Sequence, residues 1–320
     1  MCAPKIVQIA HDRAAAPTRR GFLGAVGAAA LAVTAAPARA EPAPSIPAGA
    51  RVVDLTHPLG PALPTWPGTP PFTVVPVSWH ASGGFAQNAL AYWEHSGTHL
   101  DAPVHRIPDG ASTDRVPASD LVAPLVVVDI SARAATDPDA ALTVADLDRW
   151  QRAHGPIPSR AFVAVYSGWE HRLGDPAAFL NLDPAGTPHA PGIEPEAAEH
   201  LIAEHDVVGL GVDTLSLDHG RSRDYAAHTV VLGAGRYGVE MLAGLATVPP
   251  SGATVVVGAP KHVGGTGGPC RVLARRAEIP CRAVAGRRGQ SNCLTVFMVK
   301  RETTRSTFGI VITCLLRKRS

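Results

Sequence analysis

The chain reads as an α/β domain in which mixed β-sheets carry flanking helices. Three observations lead there. Short apolar runs rich in valine recur along the chain, as strands buried on both faces require. Two segments carry helical periodicity with recognisable starts and stops. The 320 residues also include 30 prolines and 31 glycines, a load that suits a site built on irregular loops rather than a helical bundle.

The elements follow in order. "RVVDLTH" (51–57) reads as a strand entering a loop. "PLGPALPTWPGTPPF" (58–72) holds too many prolines for regular structure. "FTVVPVSWH" (72–80) and "NALAYWEHS" (88–96) are expected strands, and "PLVVVDI" (124–130) is a short buried one. "TVADLDRWQRAHG" (143–155) is a helix with Thr143 as its N-cap and Gly155 as its stop. "AFVAVYSGW" (161–169) is a strand ending in a small-residue turn. "EPEAAEHLIAEHD" (194–206) is an amphipathic helix with proline in its first turn. "VVGLGVD" (207–213), "HTVVLGAG" (228–235) and "ATVVVGAP" (253–260) are expected to be further strands.

The ends of the chain differ from the middle. "TRRGFLG" (18–24) carries Arg19 and Arg20, an alanine-rich apolar run follows, and "ARA" (38–40) offers a small-x-small cleavage site. This is the pattern of a twin-arginine export signal over 1–40, followed by a linker at 41–50. The apolar run falls short of the ~20 residues that span a bilayer. The mature chain is therefore expected to begin at Glu41 in a periplasmic or extracellular space, with no stable membrane span. Residues 51–275 form the expected domain. Residues 276–320 form a basic tail: from 271 onward there are twelve Lys and Arg against two acids, Glu278 and Glu302. Formal charge over the whole chain is +2 and aromatics make up 5%, so nothing suggests a nucleic-acid partner. Cys270, Cys281, Cys293 and Cys314 lie late in the chain without a C-x-x-C pair, which argues against a zinc knuckle.

The chemistry concentrates in "HSGTHLDAPVH" (95–105). A polar surface loop has no need of three histidines and an aspartate in eleven residues. Gly97, Thr98 and Pro103 oppose a helix, so the four-residue spacing of His95 and His99 is not that of the H-E-x-x-H metalloproteases. In an extended segment His99 and Asp101 point the same way, and His95 turns back toward them across Gly97. Two nitrogens and one oxygen around an open position suit a catalytic divalent ion. His105 is either a fourth ligand or a general acid–base.

The motif resembles the H-x-G-T-H-x-D-x-P-x-H signature of the metal-dependent cyclase family, which includes bacterial kynurenine formamidase and isatin hydrolase. The likeness extends over about 51–274, through "VVDLTHPLGPALPTWPGTPPF", "VYSGW", "PGIEPEAAEHL", "VGLGVDTLSLD", "HTVVLGAGRYGVEML" and "APKHVGGTGGPCRVLA", and stops before the basic tail. It implies a swivelling β/β/α-like single domain that works as a homodimer. It implies two divalent ions, zinc or manganese, with His95 and His99 on one, His228 on the other, and Asp101 and Glu240 shared. His105 would be the proton shuttle and Trp66 the substrate-contacting tryptophan, although a tryptophan on a proline-rich loop can also be plain core. The implied reaction is hydrolysis of an amide C–N bond in a small aromatic substrate: the ion lowers the pKa of a bound water to about 7, and the resulting metal-bound hydroxide attacks. The presence of both His228 and Glu240 favours an arylformamidase-like member; an isatin hydrolase-like lactam or lactone hydrolase is the alternative.

Two rival classes remain. "VVLGAGRYG" holds Gly233, Gly235 and Gly238, the form of a dinucleotide fingerprint after an apparent strand. The acid expected about 20 residues on is absent, so a nucleotide-binding oxidoreductase is disfavoured, and "GGTGGP" (264–269) reads as a tight turn. A non-catalytic periplasmic metal- or solute-binding protein would keep the ligands but have no use for His105.

Overall fold

The computed structural model describes residues 51–276. The expected export signal (1–40), the expected linker (41–50) and residues 277–320 of the expected basic tail lie outside the described residues, as do Cys281, Cys293 and Cys314.

Thirteen strands are present among the described residues: β1 (Arg51–Asp54), β2 (Thr73–Ser78), β3 (Gln87–Ala91), β4 (His99–Asp101), β5 (Val122–Asp129), β6 (Ala141–Leu142), β7 (Phe162–Tyr166), β8 (Gly192–Ile193), β9 (Gly209–Val212), β10 (Tyr237–Glu240), β11 (Ala253–Gly258), β12 (Gly267–Pro269) and β13 (Arg271–Arg276). Nine build one curled mixed sheet in the order β1-β13-β11-β5-β7-β9-β10-β4-β12. Its centre, β5-β7-β9-β10, is parallel, and the strands on either side are antiparallel.

Parallel neighbours need long crossovers, and the three longest helices among the described residues lie in them: α1 (Val144–His154), α2 (Pro195–His205) and α3 (Ala226–Gly233). Helix α1 begins as expected. Thr143 Oγ1 accepts the Asp146 N–H while the Asp146 carboxylate accepts the Thr143 N–H, a reciprocal capping box, and Gly155 ends the helix. Helix α2 opens on Pro195 and turns out at Asp206, in the left-handed region. Leu147, Trp150, Ala197, Leu201, Val231 and Leu232 bury one face of the sheet together with Val126, Val163 and Leu210. The opposite face closes on itself: Leu100 of β4 shares a buried cluster with Val255 of β11 and Val272 of β13.

Two expectations are corrected. Residues 228–235 are not a strand. Helix α3 takes in Ala226–Gly233, because the parallel pair β9-β10 needs a crossover there, and because Ala227, His228, Val231 and Leu232 bury one face at helical spacing. The β-branched run argued for a strand, and topology overrode it. The glycine fingerprint falls with the same correction: Gly233 ends α3, Gly235 sits in the turn at φ +72°, and Gly238 lies in β10. Helix–turn–strand is the reverse of the strand–turn–helix that a dinucleotide site requires. The second correction is smaller. Residues 88–96 are strand only as far as Ala91, and the chain is irregular from Tyr92 to Thr98. "GGTGGP" is a turn at Gly264 (φ +75°) that leads directly into β12.

No helix among the described residues is long and apolar enough to cross a membrane.

Candidate metal centre and its cavity

Strand β4 is the axis of the site. It pairs with β10 on one side and β12 on the other, and the register sets His99 opposite Glu240 and Asp101 opposite Gly238. Across the other edge, Asp101 faces Gly267. The aspartate therefore has a glycine as its cross-strand partner on both sides. A Cβ at 238 would lie 3.2 Å from Asp101 Oδ2 and 2.9 Å from Leu217 Cδ1; one at 267 would lie 2.5 Å from the His95 ring. These glycines give room to the side chains of the centre.

The loop before β4 is pinned in place. Gly97 adopts φ +63°, a left-handed conformation that costs glycine least. Thr98 Oγ1 donates to the Met241 carbonyl at 2.5 Å and accepts the His57 N–H at 3.0 Å. This turn brings His95 Nδ1 to 2.6 Å from Asp101 Oδ1. His99 Nε2 stands 3.3 Å from Asp101 Oδ1 and 3.4 Å from Glu240 Oε2. His228, on the first turn of α3, puts Nε2 3.0 Å from Glu240 Oε1 and 3.5 Å from Asp101 Oδ2. Donor atoms of His95, His99 and Asp101 form one group within 4.8 Å, and those of Asp101, His228 and Glu240 form a second. Asp101 belongs to both. All five residues singled out in the sequence thus stand together.

Each imidazole is aimed by its other nitrogen. His99 Nδ1 donates to the Gly97 carbonyl at 2.7 Å, and His228 Nδ1 donates to Asp218 Oδ2 at 2.6 Å. Asp218 also accepts the N–H groups of Ala227 and His228 at the start of α3. Glu240 Oε1 accepts the Leu217 N–H at 3.0 Å. A carboxylate or carbonyl behind the histidine is the usual support of a metal-binding imidazole.

The charges fit a cation. His99 Nε2 and Asp101 Oδ2 are buried without a hydrogen-bond partner, a costly condition unless something positive sits between them. Burial alone would make His99 less basic, yet the Asp101 and then Glu240 carboxylates raise it to about 9. His228 is likewise held protonated against its burial by Asp101, Asp218 and Glu240, while the surrounding imidazoles and hydrogen bonds keep the buried Asp101 well below the usual carboxylate range. The same carboxylates that favour a proton on these rings would favour a divalent ion, and the protons would leave as it binds. Nitrogen and carboxylate oxygen donors suit zinc, manganese and their neighbours.

The cluster lies at the bottom of a cavity of about 370 Å³ whose aromatic walls are Trp66, Trp93 and Tyr225. Trp66 and Tyr225 have ring centroids 6.4 Å apart, so Trp66 is cavity wall rather than core. His105 ends a short 3₁₀ turn and lines the same space, its ring 3.9 Å from that of His95. It belongs to neither donor group. Enclosure, reinforced by His95, His228 and His99, lowers its pKa to about 4 despite the pull of Asp101. The ring is therefore neutral at ordinary pH and presents a nitrogen lone pair.

Sequence reasoning passed over Asp218, Tyr225 and the residues behind His95. Asp218 sits in the quoted "VGLGVDTLSLD", ten positions before His228, and only the fold of α3 shows why it is there.

An α/β domain with an aromatic cavity that ends in imidazoles and carboxylates defines a small-molecule enzyme of metal-site type. The chain belongs to the Cyclase family ("Putative cyclase"), whose family model matches residues 53–219. It is 37% identical over 241 residues to isatin hydrolase of Roseibium aggregatum, covering 70% of this chain and 90% of that one. Kynurenine formamidase of Salinibacter ruber is 28% identical over 235 residues, covering 72% of this chain and 99% of that one. Among solved structures, isatin hydrolase A from Ralstonia solanacearum superposes with a TM-score of 0.67 at 40% identity, covering 71% of this chain and 92% of the other. The relatives named by activity are thus hydrolases of small molecules.

Proposed function

We propose that the protein is a divalent-metal-dependent hydrolase that opens the C–N bond of a small aromatic cyclic amide, in the manner of the isatin hydrolases it resembles. The observation that carries this reading is one cavity in which aromatic walls, a neutral histidine and four of the five convergent donors meet, the fifth, Asp101, lying buried among them. His95, His99 and Asp101 would hold one ion, and His228, Glu240 and the shared Asp101 a second. A bound divalent ion would polarise the carbonyl and lower the pKa of a bound water to about 7. Trp66 and Tyr225 stack on the ring of the substrate and turn its amide toward the cluster. His105 accepts the proton released when water adds to the carbonyl carbon, holds it on a ring nitrogen, and returns it to the departing amide nitrogen. The products are a carboxylate and an amine, joined through the ring when the substrate is a lactam.

The arylformamidase-like reading is the second one. It is favoured by the complete second donor group of Asp101, His228 and Glu240, while identity favours the lactam. Purified protein loaded with zinc or manganese and assayed on isatin, N-formylkynurenine and a simple lactone separates them. Isatin as the best substrate supports the proposal. N-formylkynurenine as the best substrate replaces it with the formamidase, and turnover unaffected by stripping the metal removes both.

The protein is further proposed to leave the cytoplasm by the twin-arginine route and to act as a homodimer. The β2-β3 hairpin supports the dimer: Val75, Val77, Trp79, Phe85 and Leu90 are each at least half exposed on it, apolar surface that isolated two-stranded ribbons seldom sustain in water. Sedimentation of the wild type and of Trp79→Glu tests it, and a wild-type monomer would refute it.

A further inference from the structure

His95 differs from the other two histidines of the cluster in what stands behind it. Its Nε2 lies 3.0 Å from Thr266 Oγ1. The Thr266 hydroxyl has one proton, and it donates that proton to Glu94 Oε2 at 2.5 Å. Glu94 is fixed as an acceptor, because its two oxygens also take the Thr266 N–H at 3.3 and 3.2 Å and one of them meets the His262 ring. Thr266 can therefore only accept from His95, and His95 Nε2 must carry a hydrogen. The other nitrogen, Nδ1, then points a lone pair at Asp101 Oδ1 only 2.6 Å away. Two acceptors at that distance repel unless a cation joins them, either a proton or a metal ion.

We propose that Glu94 and Thr266 are positioning residues that fix the tautomer of His95, so that His95 meets the ion through Nδ1 whereas His99 and His228 meet it through Nε2. The opposite choice in those two follows from their own supports, the Gly97 carbonyl and Asp218, which both take the Nδ1 hydrogen. The sheet builds the device in one step. The Ala102 N–H donates to the Thr266 carbonyl, and Gly267 pairs with Asp101, so the strand edge that holds Asp101 also delivers Thr266 to the back of His95. Gly267 completes it, since any Cβ there would occupy the place of the ring. The "GGTGGP" stretch is thereby tied to the metal centre rather than to a turn alone.

The inference rests on the metal reading, and the test separates the two. Full-length protein labelled with ¹⁵N-histidine is loaded with zinc, and long-range ¹H–¹⁵N correlations report which ring nitrogen carries hydrogen, with His95→Ala assigning the signal. The expected result is Nε2–H on His95 and Nδ1–H on His99 and His228. Zinc affinity is measured in parallel by competition with a chelator. Thr266→Val and Glu94→Gln should bind zinc about 10- to 100-fold more weakly, and Thr266→Ser should restore wild-type affinity. Zinc uptake with Nδ1–H on His95, or unchanged affinity in both Thr266→Val and Glu94→Gln, overturns the tautomer inference alone. Absence of zinc uptake by the wild type overturns the metal reading and this inference with it. If Thr266→Val does not fold, Glu94→Gln and the wild-type tautomer decide.

Discussion

Asp218→Asn tests whether the carboxylate behind His228 serves the metal or only the helix. Asp218 is 4% exposed and accepts three hydrogen bonds, from the N–H of Ala227 at 2.8 Å, the N–H of His228 at 3.1 Å and His228 Nδ1 at 2.6 Å. Asparagine keeps the shape but has one acceptor oxygen. With that oxygen toward His228, its NH₂ opposes the Ala227 N–H. Turned the other way, it abandons both His228 bonds and frees the ring to rotate. Either choice costs about 1–3 kcal/mol of stability before any metal is added. Loss of support behind a ligating histidine typically weakens metal binding 10- to 100-fold.

The two effects separate in thermal unfolding. A metal at 100 times the wild-type Kd stabilises the wild type by about 2.7 kcal/mol, and a variant binding 100-fold more weakly by only ~0.4 kcal/mol. For a domain of this size that is a metal-induced Tm shift of roughly 5–11 °C falling to about 1–2 °C. Scans with and without zinc, on wild type and Asp218→Asn, read both quantities at once. If the variant melts lower without metal yet gains the full shift on adding zinc, Asp218 is merely a helix cap and its role at the centre is refuted.

Other perturbations follow from the same geometry. His105→Ala should retain metal, since His105 belongs to neither donor group, and lose about 10²- to 10⁴-fold in kcat/KM; metal analysis beside steady-state kinetics checks it, and unimpaired turnover removes His105 from the reaction. Gly238→Ala should cost about 1–3 kcal/mol by overpacking and impair metal uptake, because the new Cβ meets Leu217 and Asp101. Gly233→Ala, whose nearest contact is Ile107 Cδ1 at 3.7 Å, should do neither; equal damage at both positions would restore a joint role for the glycines. Burial pushes the Asp213 carboxyl up to about 6 even though Ser167 and Trp169 donate to it. The folded state then holds this proton more tightly than the unfolded chain. The resulting stability is complete below about pH 4 and is lost as pH rises through 6, on the order of 3 kcal/mol in all. Denaturant midpoints of wild type minus Asp213→Asn should decline over that interval, and parallel profiles would sink the argument.

Sequence and structure agree most closely where chemistry is local. "HSGTHLDAPVH" shows its convergent donors because His95, His99 and Asp101 lie within seven residues and a glycine turn brings His95 back onto Asp101, although Met241, His57 and the neighbouring strands hold that turn and β4 in place. The cap of α1 is legible for the same reason, since Thr143 and Asp146 satisfy each other within one turn. Helix α3 is not. Its valines and threonine prefer strands, and what makes it a helix is the parallel pairing of β9 with β10, which no window of neighbouring residues contains. Asp218 stayed hidden for a related reason: its partner's ring is reached only after the helix has formed.

The glycine fingerprint shows how one pattern arises from two unlike demands. A dinucleotide site uses glycine so that backbone can approach a phosphate. Here Gly235 serves the turn out of α3, while Gly238 makes way for Asp101 across the sheet. The spacing matches because both situations join a helix and a strand by a short turn, and the direction of the chain through that turn tells them apart. A strand before the glycines aims helix N–H groups at an anion. A strand after them, antiparallel to β4, aims Glu240 at His99 and so at a cation. The order of elements around the glycines, more than their number, decides the sign of charge such a segment can hold.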